Sequence, residues 1–244
     1  MSASERPSER RSAARTGVVW EALRPVLGEA GDREVLDIGG GTGGFAVGVA
    51  ELGHRVSVVD PSPDALAALD RRAREQGVAD RVHGQQGDLL HLLDVVGPES
   101  ADVVLCHGVL EIVDDPAAAL ATIARVLRPG GTLSLLVAQR HAAVIARAMA
   151  GHFQQARALL DATPGDPGRA GHRYTHGELT ALVSDAGLEV VAVHAIRVFA
   201  DLVPGSLLDL EPGAAQALVE LEHAVAERPE YLPLATQLHL LARR

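Results

Sequence analysis

The stretch 34-EVLDIGGGTGGFAV-47 decides the fold. A short apolar run reaches Ile38, Gly39 to Gly44 then hold five glycines and one threonine, and apolar residues resume at Phe45. Strand, glycine turn and helix in that order open a nucleotide site. Glycines let backbone approach a ligand closely, and the first N–H groups of the helix are free to meet it. Gly39, Gly41 and Gly44 match G-x-G-x-x-G, a spacing that several nucleotide-binding families share, NAD-dependent oxidoreductases among them.

Outward from the loop, strands and helices alternate. HRVSVVD (54–60) reads as a second strand, and SPDALAALDRRAREQG as a helix capped by Ser62 with Pro63 at its first position. Arg81–Gln85, ADVVLCHG (101–108) and GTLSLLVA (131–138) read as further strands, with a helix opening at Asp115-Pro116. An amphipathic helix is expected near Ser12–Leu27, preceded by a disordered polar tail over 1–11. After Arg140 the rhythm changes. One long helix is expected over His141–Asp161, then a Gly/Pro loop, so that 141–172 forms a cap insertion and 154–173 a mobile lid. A helix at 175–187, strand 189–196, a helix near 213–227 and strand 236–243 complete the chain. This order predicts an α/β fold, a doubly wound Rossmann-like sheet in one domain over 12–244.

Composition narrows the chemistry. The chain has 244 residues, net charge −10 and 2% aromatic residues, so a global basic field for nucleic acid is absent and base-stacking platforms are scarce. All 22 basic side chains are arginine. Without lysine there is neither a Walker-type phosphate loop nor a Schiff base to pyridoxal phosphate. The single Cys106 forms no intrachain disulfide and no cysteine zinc site, and reads as a core residue; the eleven histidines show no metal spacing. No stretch is apolar enough to span a membrane, and MSASERPSERRSAAR lacks a signal core, so a cytoplasmic protein is expected.

Which nucleotide the loop holds turns on three carboxylate or loop features. Asp37 lies inside the first strand, two residues before Gly39. Beside a pyrophosphate it would be repelled; beside a sulfonium and an ammonium group it is favoured. QGD (86–88) follows the third strand, where Asp88 would accept from an adenine amine; Asp60, which ends the second and would accept from ribose hydroxyls, fits NAD and an adenosyl cofactor equally. LRPGG (127–131) leads into the fifth strand.

With VLDIGGGTGG, VVDPS, GD and ARVLRPGGTLSLL in this order, the chain resembles the class I S-adenosylmethionine-dependent methyltransferases over about residues 15–200. The resemblance implies seven strands with the last antiparallel, and S-adenosylmethionine (SAM) lying across the C-terminal ends of strands one to four. Further segments resemble the tRNA 5-carboxymethoxyuridine methyltransferases: CHGVLEIVDDP (106–116), AGHF (150–153), IRVFAD (196–201), LVELE (218–222) and YLPLATQLHLLAR (231–243). That family converts the carboxylate of a modified wobble uridine to a methyl ester. Carried over by position, its cofactor contacts fall on Arg15, Gly39, Gly40, Asp60, Gln86, Gly87 and His107; Gly41, Asp37 and Asp88 join them from the reading above. Arg15 stands in Arg11-Ser12-x-x-Arg15 where the family tends to carry Lys-Gly-x-x-Arg, and 154–176 holds only three arginines.

Several residues carry a second reading. His107 ends a strand beside the expected methyl group, or is structural. Glu111 and Asp114-Asp115 are an acid–base pair, or loop and helix-cap residues before Pro116. Arg197 clamps the substrate carboxylate, or is a solvated charge; Arg140 and Arg173 are weaker candidates for that clamp. A carboxylate acceptor, with an ordinary pKa of about 4, arrives ionised and needs a positive clamp rather than a base. The expected function is therefore SAM-dependent methylation of that carboxylate in tRNA. A small-molecule O- or N-methyltransferase is the alternative, and an NAD-dependent oxidoreductase the more distant one.

Overall fold

A computed structural model of the chain describes residues 7–28, 33–162, 171–208 and 213–244, without the side chains of 7–15 and 205. Its elements are α1 (Pro7–Leu27), β1 (Glu34–Ile38), α2 (Ala46–Glu51), β2 (Arg55–Asp60), α3 (Pro63–Glu75), β3 (Val82–Gln86), α4 (Leu92–Val96), β4 (Ala101–His107) and α5 (Pro116–Val126). They continue with β5 (Leu127–Ala138), α6 (Arg140–Met149), α7 (Phe153–Leu160), α8 (His176–Asp185), β6 (Glu189–Ile196), α9 (Gly205–Leu208), α10 (Ala214–Val225) and β7 (Gln237–Arg243), with a 3-10 turn at Pro229–Leu234 before β7.

The seven strands lie in the order β3-β2-β1-β4-β5-β7-β6. The first five are parallel, and β7 runs antiparallel between β5 and β6. This is the seven-stranded class I arrangement expected. The central strands carry apolar residues on both faces because helices cover both. Val35, Val58 and Leu105 meet α1, α2 and α3 on one side, while Leu36, Val104 and Cys106 meet α4, α5 and α8 on the other. Cys106 is fully buried, and that burial pushes its thiol pKa up to about 12.

Ser62 accepts from the Ala65 N–H at 3.2 Å, with Pro63 next, so α3 starts where the sequence places it. Asp115 caps α5 by accepting from Ala118 at 3.0 Å, and Thr175 with Glu178 forms a capping box on α8.

Two expectations are corrected. Helix α1 begins at Pro7, not Ser12, which suits proline's fixed φ at a first helical position; of the expected tail, residues 1–6 lie outside the described part. The single helix over 141–161 is two. Gly151, at φ 77°, ends α6, and the Gly151 and His152 N–H groups bond back to Ala148 and Arg147, as at a left-handed helix terminus. Of the expected lid, 163–170 also lie outside the described residues.

Candidate cofactor and substrate site

The C-terminal ends of β1, β2 and β4 open onto a cavity of about 530 Å³. Ile38, Gly39, Asp60, Gly87, Asp88 and His107 line it, with Leu90 and Ile112 exposed at its mouth. Parallel α/β sheets place ligands at this edge, where strand order reverses. A larger open groove of about 980 Å³ lies between α1, α10 and the opposite ends of the strands. None of the candidate cofactor-binding or catalytic residues lines it, so the chemistry belongs to the smaller cavity.

At Gly39, Gly40 and Gly43 the glycine loop has room for backbone only. Gly39 and Gly41 take φ of 66° and 54°, the left-handed region that disfavours other residues. A Cβ on Gly39 would meet Val109 Cγ2 at 2.5 Å, and one on Gly40 would strike the Asp37 carboxylate. The loop is braced from below. Gly39 N–H donates to the Val59 carbonyl at 2.7 Å, and Asp60 accepts from Gly41 N–H at 3.0 Å and Ser62 N–H at 2.8 Å. Asp60 thus ties the loop to β2 while bordering the cavity. Gln86 at the end of β3 donates to the Pro61 carbonyl at 3.2 Å, and Gly87 N–H to the Asp60 carbonyl at 3.2 Å.

Asp37 is buried beneath the loop. Burial, then the neighbouring Asp60 charge, raises its pKa from the ordinary 3.8 to about 7. Asp88 accepts from both the backbone N–H and ring Nδ1 of His91, each at 3.0 Å, and these bonds hold its carboxyl below the usual range.

His107 closes the cavity at the end of β4. Its Nε2 is 2.9 Å from Ser134 Oγ, and its Nδ1 is buried with no partner. Desolvation lowers its pKa to about 4, so the ring is neutral at physiological pH. Phe45 meets it edge-on, ring centroids 4.7 Å apart, and Trp20 stacks on Phe45 at 5.0 Å. Two of the chain's six Trp, Tyr and Phe residues therefore wall this corner. The glycine cradle, the carboxylate at the end of β2 and the buried carboxylate beneath the loop fit an adenosyl cofactor that carries positive charge.

Beyond the cavity, Arg197 stands at the end of β6 on the same edge of the sheet. Its φ is 61°, rare for a side chain of this size. Nη2 bonds Asp201 at 2.5 Å, Nη1 bonds Gln237 at 3.3 Å, and Nε is buried without a partner. Its carbonyl accepts from both Thr236 N–H and Thr236 Oγ1. Glu222 of α10, 1% exposed, accepts from the N–H groups of Val198, Phe199 and Ala200 at 2.7–2.9 Å. The segments 196–201, 218–222 and 231–243 thus converge on one arginine. The sequence reading named the segments without Glu222's part in them. An isolated acid on the apolar side of a helix, LVELE, was the available signal.

The weaker candidates have other work. Arg140 pairs with Glu178 at 2.9 Å. Glu111 accepts from Ala138 N–H at 2.8 Å, and its carbonyl receives His172 N–H, so it acts as a loop brace. Arg173 is half-buried near Glu111, and burial, then the Arg147 charge, lowers its pKa. Arg15 lies on α1, but its side chain is outside the described residues. Among those residues no His, Cys, Asp and Glu group is arranged to hold a metal, and no helix is long and apolar enough to cross a membrane.

Comparison with known proteins agrees with this geometry. Residues 36–135 match the family model described as a methyltransferase domain. The chain is 30% identical to the tRNA 5-carboxymethoxyuridine methyltransferase of Escherichia coli K12, over 94% of this chain and 88% of that protein. It is 32% identical to a ubiquinone biosynthesis O-methyltransferase of Xanthomonas euvesicatoria, over 66% and 65% of the two chains. The S-adenosylmethionine-dependent methyltransferase of Mesorhizobium loti superposes with a TM-score of 0.59 at 21% identity, over 93% of this chain and 98% of that one.

Proposed function

Because the chain belongs to the class I SAM-dependent methyltransferases, we propose a narrower activity: esterification of the carboxylate of 5-carboxymethoxyuridine at the tRNA wobble position. The observation that carries it is the arginine assembly at the end of β6. The likeness to the Escherichia coli enzyme runs nearly full length, and three of the segments that carry the family resemblance, 196–201, 218–222 and 231–243, gather around Arg197.

When bound, SAM supplies a methyl group already activated on a sulfonium. Gly39, Gly40 and Gly41 would hold the cofactor by backbone approach, and Asp60 would accept its ribose hydroxyls. Gln86, Gly87 and Asp88 would border the adenine. Asp37 would face the positive end. Arg197 would receive the substrate carboxylate by exchanging an Nη bond to Asp201 or Gln237 for it, since its unpaired Nε is buried. No base is required, since the acceptor arrives ionised. His107 suits this assignment: its Nε2 is engaged by Ser134 and its pKa of about 4 makes it a poor base at neutral pH. It positions rather than deprotonates. The ubiquinone-pathway relatives and the acidic surface favour a small-molecule acceptor as the second reading.

The test is transfer of labelled methyl from SAM to tRNA shown to contain the free carboxymethoxy group. Counts released as methanol by mild alkali, absent with Asp60→Ala, are expected. S-adenosylhomocysteine (SAH) binding without such counts would transfer the assignment to a small-molecule acceptor.

A further inference from the structure

Three apolar strands each carry one buried polar residue on the α1/α10 side of the sheet: Ser134 on β5, His239 on β7 and His194 on β6. Cross-strand register puts them in a row. His194 pairs with His239, and His239 is opposite Leu136, two residues from Ser134 and itself beside His107. The row is hydrogen-bonded from the cofactor cavity outward. His107 Nε2 is 2.9 Å from Ser134 Oγ, and Ser134 Oγ is 2.8 Å from His239 Nε2. His239 Nδ1 is 3.3 Å from His194 Nδ1, and His194 Nε2 is 3.9 Å from the Glu227 carboxylate.

A neutral imidazole has one donor and one acceptor nitrogen, and a hydroxyl has one proton. The row therefore has a direction, and Glu227 sets it. Its negative charge, 3.9 Å away and a larger influence on His194 than the His239 backbone, favours the His194 proton on Nε2 and leaves Nδ1 as an acceptor. His239 must then donate from Nδ1 and accept at Nε2. Ser134 gives its only proton to His239, and its oxygen receives the Nε2 proton of His107. The remaining His107 nitrogen, Nδ1, is left as a bare lone pair on the ring edge away from Ser134. It is the buried ring atom that has no partner.

We propose that Ser134 and His239, oriented from the His194–Glu227 end, are positioning residues that fix the His107 tautomer, with its proton on the Ser134 side and its lone pair left bare at the buried Nδ1 behind the cofactor wall. Burial keeps all three rings neutral, so the direction is not lost by protonation near neutral pH. The consequence is electrostatic. A sulfonium beside His107 meets the negative edge of the ring dipole, whereas the opposite tautomer would present an N–H to it. The row thus separates SAM, which is cationic at sulfur, from SAH, which is not. This inference rests on the family's cofactor and is independent of the methyl acceptor.

The deciding experiment is 15N NMR of the imidazole nitrogens in the full chain, alongside calorimetric titration with SAM and with SAH. The unsubstituted protein should show an unprotonated Nδ1 and a protonated, exchange-protected Nε2 on His107. Ser134→Ala should weaken SAM about fivefold with SAH unchanged, the size of one ordinary hydrogen bond, and Ser134→Thr should restore it. A proton on Nδ1 in the unsubstituted protein overturns the proposal, and so does an equal loss of SAM and SAH in Ser134→Ala. Should that variant fail to fold, the unsubstituted spectrum decides alone. Tautomer and binding are read without any acceptor, so failure of the tRNA assignment leaves this result intact.

Discussion

Asp37 and His107 lie on the same side of the sheet and titrate in opposite senses. Asp37 has its pKa raised from 3.8 to about 7 by burial and Asp60. Folding therefore favours its protonated form, and its cost to stability grows as pH rises across that window. His107 is lowered from 6.5 to about 4 by burial, so its neutral form favours the fold above 6.5 and that contribution is lost as pH falls toward 4. A cationic ligand beside Asp37 reverses the first effect. SAM binding is expected to release a proton near neutral pH and to tighten between about pH 6 and 8. Calorimetry in buffers of different ionisation enthalpy measures it; Asp37→Asn should flatten the dependence, and flat affinity in the unsubstituted protein would refute the assignment of Asp37 to the cofactor's positive end. Asp60→Ala should weaken SAH about tenfold or more, the loss of a charge-assisted bond, read by the same titration. The glycine loop and Asp60 were legible because their chemistry is local in sequence. Ser134 and His239 were not, because their meeting depends on a register between strands more than a hundred residues apart.

At the scale of elements, the turn after β6 is the most specified joint in the fold. Glu222 reaches it from α10 and accepts three backbone N–H groups. Glu222→Ala leaves three backbone donors without their acceptor, one buried and two half-buried, and a loss of about 3 kcal/mol is expected, measured by urea unfolding. On the proposed tRNA reading, the KM for tRNA should rise through Arg197 while SAH affinity holds; a variant equal to the parent in both stability and KM would deny the turn its role. Strands and their capped helices were readable because Ser62, Asp115 and Thr175 stand at the positions capping demands. The break between α6 and α7 was missed because alanine-rich residues flank it on both sides. Gly151 was the cue, and its left-handed φ is visible only in the folded backbone.

For the whole molecule, a net charge of −10 sets the terms of any RNA encounter. Few phosphates can be neutralised, so the logarithm of tRNA affinity should fall against that of salt with a slope of about −2 to −3. A filter-binding series measures it, and a slope of about −6 or steeper would reveal a concentrated basic face. The sheet's order was legible from the alternation of elements and the family resemblance; the pairing of its far edge came only with the structure. There β7 lies between β5 and β6 and alone joins them. On the ribosome, β6 emerges some forty residues ahead of β7 and must wait beside an unfilled slot, with the β5 edge bare. The arginine turn, the histidine row and the outer strand are therefore assembled only once β7 has been made. Until β7 clears the exit tunnel, a nascent chain has its glycine loop but an unbuilt far edge, so a chain stopped before β7 would keep the cofactor strands without the turn at Arg197.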